Sequence, residues 1–252
     1  MKILAFSFVL LSFTFFGVSC DSRTEAEKIV DAAIDTYGGA LYEKTAITFD
    51  FRGTHYSIFK SPTAFEYSRE FTDSTGQVLD VLNNGGFTRK VNGVQIDTLT
   101  EERIGAFSRS VNSVAYFAFL PYGLNDAAAI KTYLGQTSIK GKKYHLIKVT
   151  FQAEGGGEHF EDEFLYWYGL ADYKLDYIAY SYHTDGGGVR MREVRADREV
   201  GGIRFQDYIN LKAKSKETPL DSMQYLYENG TLEKLSEINL ENIRASTLPE
   251  NE

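Results

Sequence analysis

The side chains best suited to chemistry form an acidic stretch with one histidine, between residues 154 and 163. His159, Glu161 and Glu163 alternate in this stretch, so a β-strand would place all three on the same side. Imidazole and carboxylate groups together can bind zinc or a harder cation. The cluster therefore predicts, as one hypothesis, a metal-dependent hydrolase. Its members are Glu154, Glu158, His159, Glu161, Asp162 and Glu163.

His183 and Asp185 could supply two further ligands from another strand. The stretch also contains the run Gly155–Gly157, and a solvated acidic loop beside a glycine turn has the same composition without binding any metal. This loop is the simpler interpretation. Neither a Gly-x-Ser-x-Gly motif nor a phosphate-binding glycine loop occurs. The sequence therefore predicts no catalytic residue and no cofactor.

Three arginines form a second polar pattern. Arg190 and Arg192 occupy one face of a predicted strand, and Arg195 occupies the other. An exposed ladder of cross-strand ion pairs would explain this pattern. The acids available for it are Glu193, Glu199 and Asp207. The alternative hypothesis is a guanidinium fork that binds an anionic headgroup or a sugar acid.

The single cysteine, Cys20, follows a stretch typical of a secretory leader. Lys2 precedes an uncharged apolar run, and small residues lead into Cys20. The run is shorter than the ~20 residues that span a bilayer, so residues 1–19 are predicted to be a cleaved signal peptide. Small residues ending in a lone cysteine resemble a bacterial lipobox. We therefore expect lipidation of Cys20 and a short tether over residues 20–23; an ordinary signal peptide with an incidental cysteine is the alternative.

The charge of the chain limits its partners. It carries 27 basic and 35 acidic side chains, a net charge of −8, which argues against nucleic acid as a partner. With no Pro/Ser-rich linker and no repeat, residues 24–247 are predicted to be a single domain, followed by a disordered tail over 248–252.

Helical periodicity marks three segments. Residues 24–37 begin with a Thr24/Glu27 capping box and end at two glycines. A second capping box, Thr98/Glu101, precedes a helix that ends before Pro121. A third, shorter helix is predicted from Asn125 through residue 134.

Elsewhere the apolar period is two. About ten strands in meander order predict a mainly β (α+β) fold: a large curled antiparallel sheet or incomplete barrel, with an N-terminal helix and a central helical insertion. A curled sheet has a concave side that can hold a small molecule. By alternation, the residues predicted to line it are Phe49, Phe51, Tyr67, Ile147, Val149, Trp167 and Tyr177.

The order of lipobox, amphipathic helix, Tyr-Gly-Gly, long meander and inserted helices resembles the lipoprotein-carrier (Lol-type) superfamily of Gram-negative envelopes. Three segments also resemble an uncharacterised family of envelope lipoproteins within it: 115–122, 166–168 and 201–208. The resemblance implies an incomplete barrel closed by helices, with acyl chains held inside. It implies no functional residue beyond Cys20.

Three functions remain open. The first is an envelope lipoprotein, anchored to the bilayer by its acyl chains and most naturally at the outer membrane, that binds a lipid or another hydrophobic ligand. The second is a non-enzymatic scaffold with a packed interior and an apolar surface patch for unknown protein partners. The third is the hydrolase that would use the 154–163 cluster.

Overall fold

The computed structural model describes residues 21–152 and 161–248. Within these ranges the chain forms three α-helices and two antiparallel sheets of seven strands each. The helices are α1 (Glu25–Tyr37), α2 (Glu101–Ala118) and α3 (Met223–Glu228).

The first sheet contains the early strands and the last one: β1 (Thr45–Phe51), β2 (Thr54–Lys60), β3 (Phe65–Asp73), β4 (Gly76–Asn83), β5 (Gly86–Val91), β6 (Val94–Gln95) and β14 (Glu241–Thr247). The second sheet contains the remainder: β7 (Ala129–Ile139), β8 (Lys142–Phe151), β9 (Glu163–Gly169), β10 (Leu175–Tyr182), β11 (Gly188–Val200), β12 (Ile203–Lys212) and β13 (Glu233–Ile238).

Both sheets are meanders. Their strand orders are β14-β1-β2-β3-β4-β5-β6 and β13-β12-β11-β10-β9-β8-β7. The predicted fold class is confirmed, with the expected large sheet divided in two where β13 passes into β14. The sheets do not close into a barrel.

Asp207 holds the junction between the two sheets. Its buried carboxylate accepts the backbone N–H of Leu240 at 2.9 Å, just before β14 begins. Arg198 binds the same carboxylate at 2.8 and 3.1 Å and also donates to the Leu240 carbonyl. Of the predicted arginine ladder, Arg195 also lies 3.9 Å from Asp207.

Helix α1 has the capping box that the sequence predicts. The Thr24 N–H donates to Glu27 at 2.7 Å, and the Glu27 N–H donates to the Thr24 hydroxyl at 3.2 Å. The apolar face packs into the core, and the Tyr37 hydroxyl accepts the Leu175 N–H of β10 at 3.1 Å. Upstream, the Arg23 guanidinium binds Asp21 at 2.8 Å and Asp31 of α1 at 2.7 Å.

Two local predictions were wrong. Helix α2 is capped by Thr100 rather than by Thr98. Residues 125–134 are not a helix: a 3-10 turn ends at Asn125, and β7 follows it. The Asn-Asp-Ala-Ala-Ala run favours a helix locally, but β7 is paired with β8 along its whole length, and this ladder overrides local propensity. Gly135, at φ +101°, lies at the bulge in the ladder instead of ending a helix.

The C-terminal region differs as well. The segment over 219–228, ambiguous between helix and strand, forms a short 3-10 turn and α3. The single last strand predicted over 232–243 is instead two strands, β13 and β14, one in each sheet. The main core lies between the sheets and includes α1, whereas a second apolar cluster lies between the other face of the second sheet and α3.

Candidate functional site

The main core is not filled completely. A cavity of about 960 Å³ lies between the two sheets, and α2 forms one of its walls. Its lining comes from strands of both sheets and from α2, and twelve of the 33 described lining residues are aromatic. Representative lining residues are Phe51, Phe65, Tyr116, Phe151, Phe164 and Tyr180.

Helix α2 is tied to the first sheet by a buried group of charges. Asp80 is fully shielded from solvent and accepts hydrogen bonds from Arg69 at 2.8 Å and from Arg89 at 2.6 and 2.8 Å. Arg69 also donates to the Ser110 hydroxyl of α2. The Arg89 guanidinium lies 3.5 Å from the ring centroid of Phe107 on the same helix.

The other side of α2 contacts the second sheet through aromatic side chains. The hydroxyls of Tyr116 and Tyr166 share a hydrogen bond, and the Tyr116 and Phe164 rings lie 5.4 Å apart. Phe117 packs against Tyr180 at 5.4 Å. Burial raises the pKa of Tyr116 and of Tyr166 well above the ordinary tyrosine value, so both stay neutral hydroxyls. Helix α2 therefore bridges the two sheets across the cavity.

Charged side chains also line the cavity. Five of its described lining residues are basic and two are acidic: Arg52, Lys60, Arg109, Arg190, Arg192, and Asp126, Asp162. Lys60 and Asp126 neutralise each other at 2.7 Å. Among the described lining residues, basic side chains therefore outnumber acidic ones.

Arg192 is the most deeply buried of these cations, with 8% of its surface exposed. Its guanidinium carbon lies 3.3 Å from the ring centroid of Phe117, and Nη2 donates to the Tyr180 hydroxyl at 3.1 Å. Its Nε is buried without a hydrogen-bond partner among the described residues, as is Oδ1 of Asn210, its cross-strand neighbour. Arg190, two residues earlier, donates to the Tyr182 hydroxyl at 2.7 Å.

The residues predicted to line a cavity lie in three places. Phe51 and Tyr67 line the cavity described here. Phe49, Ile147 and Val149 are fully buried in the main core. Trp167 and Tyr177 belong to the second apolar cluster, on the other face of the second sheet. The Trp167 indole donates there to Gln224 at 3.1 Å.

Half of the acidic cluster, Glu154, Glu158 and His159, lies outside the described residues, as does Cys20. Asp162 is buried and accepts the His183 N–H at 3.3 Å, and the two side chains are 3.8 Å apart. Glu163 forms an ion pair with Lys148 at 2.9 Å. Within ranges 21–152 and 161–248, no three His, Cys, Asp or Glu side chains are arranged to hold a metal ion.

The Asp80 charge group was not predicted from the sequence. Its signal was present: Asp80 occupies the inward parity of β4, between the apolar residues Val78 and Leu82. A charged residue on the buried side of a strand requires a partner. Its two partners, Arg69 and Arg89, lie directly opposite it on β3 and β5.

No α-helix in the part of the chain that the structure describes has the length and apolar character needed to cross a membrane.

A family profile described as a family of unknown function (DUF6503) matches residues 5–240. No curated protein matches the sequence. A LolA superfamily protein from Nitrosomonas europaea superposes with a TM-score of 0.50 at 11% identity, covering 91% of this chain and 96% of its own. A domain described as an outer membrane lipoprotein-sorting protein, from Vibrio parahaemolyticus, gives a TM-score of 0.45 at 8% identity, covering 90% and 96%. The predicted resemblance to the lipoprotein-carrier superfamily is confirmed at the level of the fold.

Proposed function

Because the chain belongs to the DUF6503 family and has the fold of a LolA superfamily protein, we propose that it binds a hydrophobic ligand between its two sheets. The observation that carries this proposal is the aromatic cavity of about 960 Å³. This volume is within the roughly 300–1,000 Å³ typical of small-molecule sites. We propose a binding protein and not an enzyme.

An acyl chain fits the chemistry of this wall. Burying about ten methylene groups stabilises a complex by about 8 kcal/mol, at about 0.8 kcal/mol for each group. Ordering the ligand and losing its free motion offset part of this gain. The remainder is enough for useful affinity without any catalytic group.

The scaffold hypothesis requires a packed interior, which disagrees with a cavity of this size. The hydrolase hypothesis requires ligands that converge on one point. In the described part of the 154–163 stretch, Glu163 is instead held by Lys148. We therefore rank both hypotheses below a binding function.

We further propose that residues 1–19 are removed, that Cys20 is lipidated, and that the protein is anchored to the outer membrane of a Gram-negative envelope. The apolar leader and the small residues before Cys20 support this. The family match covers residues 5–240 and therefore includes most of the leader and Cys20. Stable anchoring requires more than one acyl chain.

Native mass spectrometry of the full chain, expressed with its leader in a Gram-negative host, tests the binding function. We expect a reproducible added mass that is lost on denaturation and extracted by organic solvent. A covalent anchor would stay on the denatured chain, so the two additions are distinguishable. A chain that carries no such mass, even after incubation with envelope lipids, would contradict the proposal.

A further inference from the structure

We infer that the ligand is an amphiphile whose polar end is an anion, a carboxylate or a phosphate, bound by Arg192 and Arg190. This inference rests on the proposed function, because it places the apolar part of the ligand along the aromatic wall of the same cavity.

A buried charge is strongly destabilising unless it is paired and hydrogen-bonded. Arg192 is 8% exposed, yet no carboxylate lies within ion-pair distance of it among the described residues. It makes one side-chain hydrogen bond there, to the Tyr180 hydroxyl, and its Nε has no partner. Stacking on Phe117 stabilises the face of the guanidinium but leaves Nε, on its edge, without a partner among the described residues. The edge is where a guanidinium binds carboxylate or phosphate oxygens.

Other arginines of β11 show the contrast. Arg195 and Arg198 both reach Asp207, at 3.9 and 2.8 Å, and this charge group holds the junction between the sheets. Arg190 and Arg192 lie in the lining of the cavity, where the described residues give them tyrosine hydroxyls instead. On β11, the two arginines at the sheet junction are paired with an acid, and the two that face the cavity have no acid partner within 21–152 and 161–248.

The tyrosines beside these arginines complete an anion site. The hydroxyls of Tyr180 and Tyr182 each accept a hydrogen bond from a guanidinium, at 3.1 and 2.7 Å. A hydroxyl that accepts in this way retains its own O–H as a donor. Two guanidinium groups and two hydroxyl donors therefore line one part of the wall, next to the aromatic rings of Phe117 and Phe164.

The placement of Arg190 and Arg192 agrees with this assignment. Both line the cavity, and neither forms an ion pair with an acid among the described residues. A neutral lipid would leave these two charges without a counter-ion, whereas an anion would pair with them.

Binding of a fatty acid and of its methyl ester separates the headgroup from the chain. The probes are cis-parinaric acid and methyl cis-parinarate, titrated by fluorescence at pH 8 into the full chain at one fixed detergent concentration. We expect the acid to bind at least about tenfold more tightly than the ester, because a hydrogen bond between charged groups is stronger than one between neutral groups. In Arg192→Met, the acid should bind like the ester while the affinity for the ester is unchanged.

Arg195→Met, on the same strand but outside the cavity lining, is the matched control and should retain the preference for the acid. Arg190→Met gives a second test that does not depend on the folding of Arg192→Met. Competition by lysophosphatidate should exceed that by monoolein, which extends the preference to a phosphate headgroup. Inorganic phosphate alone should not displace the probe.

Four results would overturn the inference. Equal binding of acid and ester by the unaltered chain, or an unchanged preference in both arginine variants, would remove the headgroup site and leave the proposed function intact. Displacement by inorganic phosphate would indicate a site for a free anion. Binding of neither probe would contradict the proposed function itself.

Discussion

The Tyr116 hydroxyl on α2 and the Tyr166 hydroxyl on β9 are hydrogen-bonded to each other across the edge of the cavity. Tyr166 is fully shielded from solvent, and this bond is the one its hydroxyl makes among the described residues. The pair therefore fixes α2 against the second sheet, as Asp80 and its arginines fix α2 against the first.

A double-mutant cycle measures this contact. Tyr116→Phe should lower the free energy of unfolding by about 1–3 kcal/mol, because it leaves the Tyr166 hydroxyl buried without a partner. Adding Tyr166→Phe should lower the free energy of unfolding only a little further, since neither hydroxyl then remains. Urea denaturation of the four proteins gives the coupling energy. If the losses of unfolding free energy in the two single variants add up to the loss in the double variant within about 0.5 kcal/mol, the two hydroxyls do not interact.

Substitution of Asp80 should lower the free energy of unfolding more than substitution of Tyr116 does. Asp80→Ala leaves Arg69 and Arg89 without their common acid, and removing one partner of a buried ion pair typically costs about 3–5 kcal/mol. The control is Glu233→Gln, which removes an ion pair with Lys212 whose side chains are 41% and 51% exposed. An exposed pair of this kind contributes about 0–1 kcal/mol. Similar losses in the two variants, measured by thermal or urea unfolding, would contradict the role given to Asp80.

We expect His145 to make the stability of the fold depend on pH. Burial lowers the pKa of its imidazole below the ordinary value of 6.5, and a weaker attraction from Glu25 opposes the shift. As the pH falls below about 6.5, the unfolded chain takes up a proton that the folded chain does not. The stability from this site is therefore complete above pH 6.5 and declines on acidification, until the folded state also titrates.

Replacing His145 with Gln should remove this part of the slope of unfolding free energy below about pH 6.5. Tyr133→Phe is the matched control, because it removes only the hydroxyl 3.4 Å from Nδ1 and retains the titrating ring. Identical pH profiles for His145→Gln and the unaltered chain would show that His145 does not contribute.

Filling the cavity should block binding. Val114 lies on α2 in the cavity lining, so Val114→Trp places an indole where the ligand chain would lie. We expect affinity for methyl cis-parinarate to fall by tenfold or more. Val94→Trp introduces the same side chain on β6, where the valine is 66% exposed, and should bind normally. Equal affinities in the two variants would place the ligand elsewhere.

Cys20→Ala tests the anchor. We expect the variant to incorporate no labelled palmitate and to leave the membrane fraction, while the unaltered chain is labelled and sediments with membranes. Labelling of the variant would show that another residue carries the acyl group.

The sequence was most informative where local chemistry decides the structure. The Thr24/Glu27 capping box and the glycines after Tyr37 bound α1 correctly, because a helix end is determined within a few residues. The helix prediction for residues 125–134 was wrong for the opposite reason. Its alanines favour a helix, but partners on β8, some twenty residues away in the chain, decide its state.

The cavity was harder to predict. Alternation along the strands places Trp167 of β9 and Tyr177 of β10 on one face of the second sheet and Tyr166 of β9 on the other. Both faces of β9 are buried, however. Period-two patterning therefore does not reveal which face points to the cavity and which packs under α3. A space between two sheets depends on how side chains from distant strands fill it, and this is a property of tertiary packing. The sequence indicates Arg190 and Arg192 as possible anion ligands only because they share one face of a predicted strand.

The short segment before α1 has a mechanical consequence. Residues 21–23 separate Cys20 from the Thr24 cap, and Arg23 holds this segment against the helix. The four residue steps from Cys20 to Thr24 extend by at most about 14 Å. A domain anchored at Cys20 would thus stay within about one headgroup layer of its own leaflet. Such a protein would diffuse in the plane of the membrane and would meet the ligands of that membrane at a high local concentration. It would not carry a ligand from one membrane to the other.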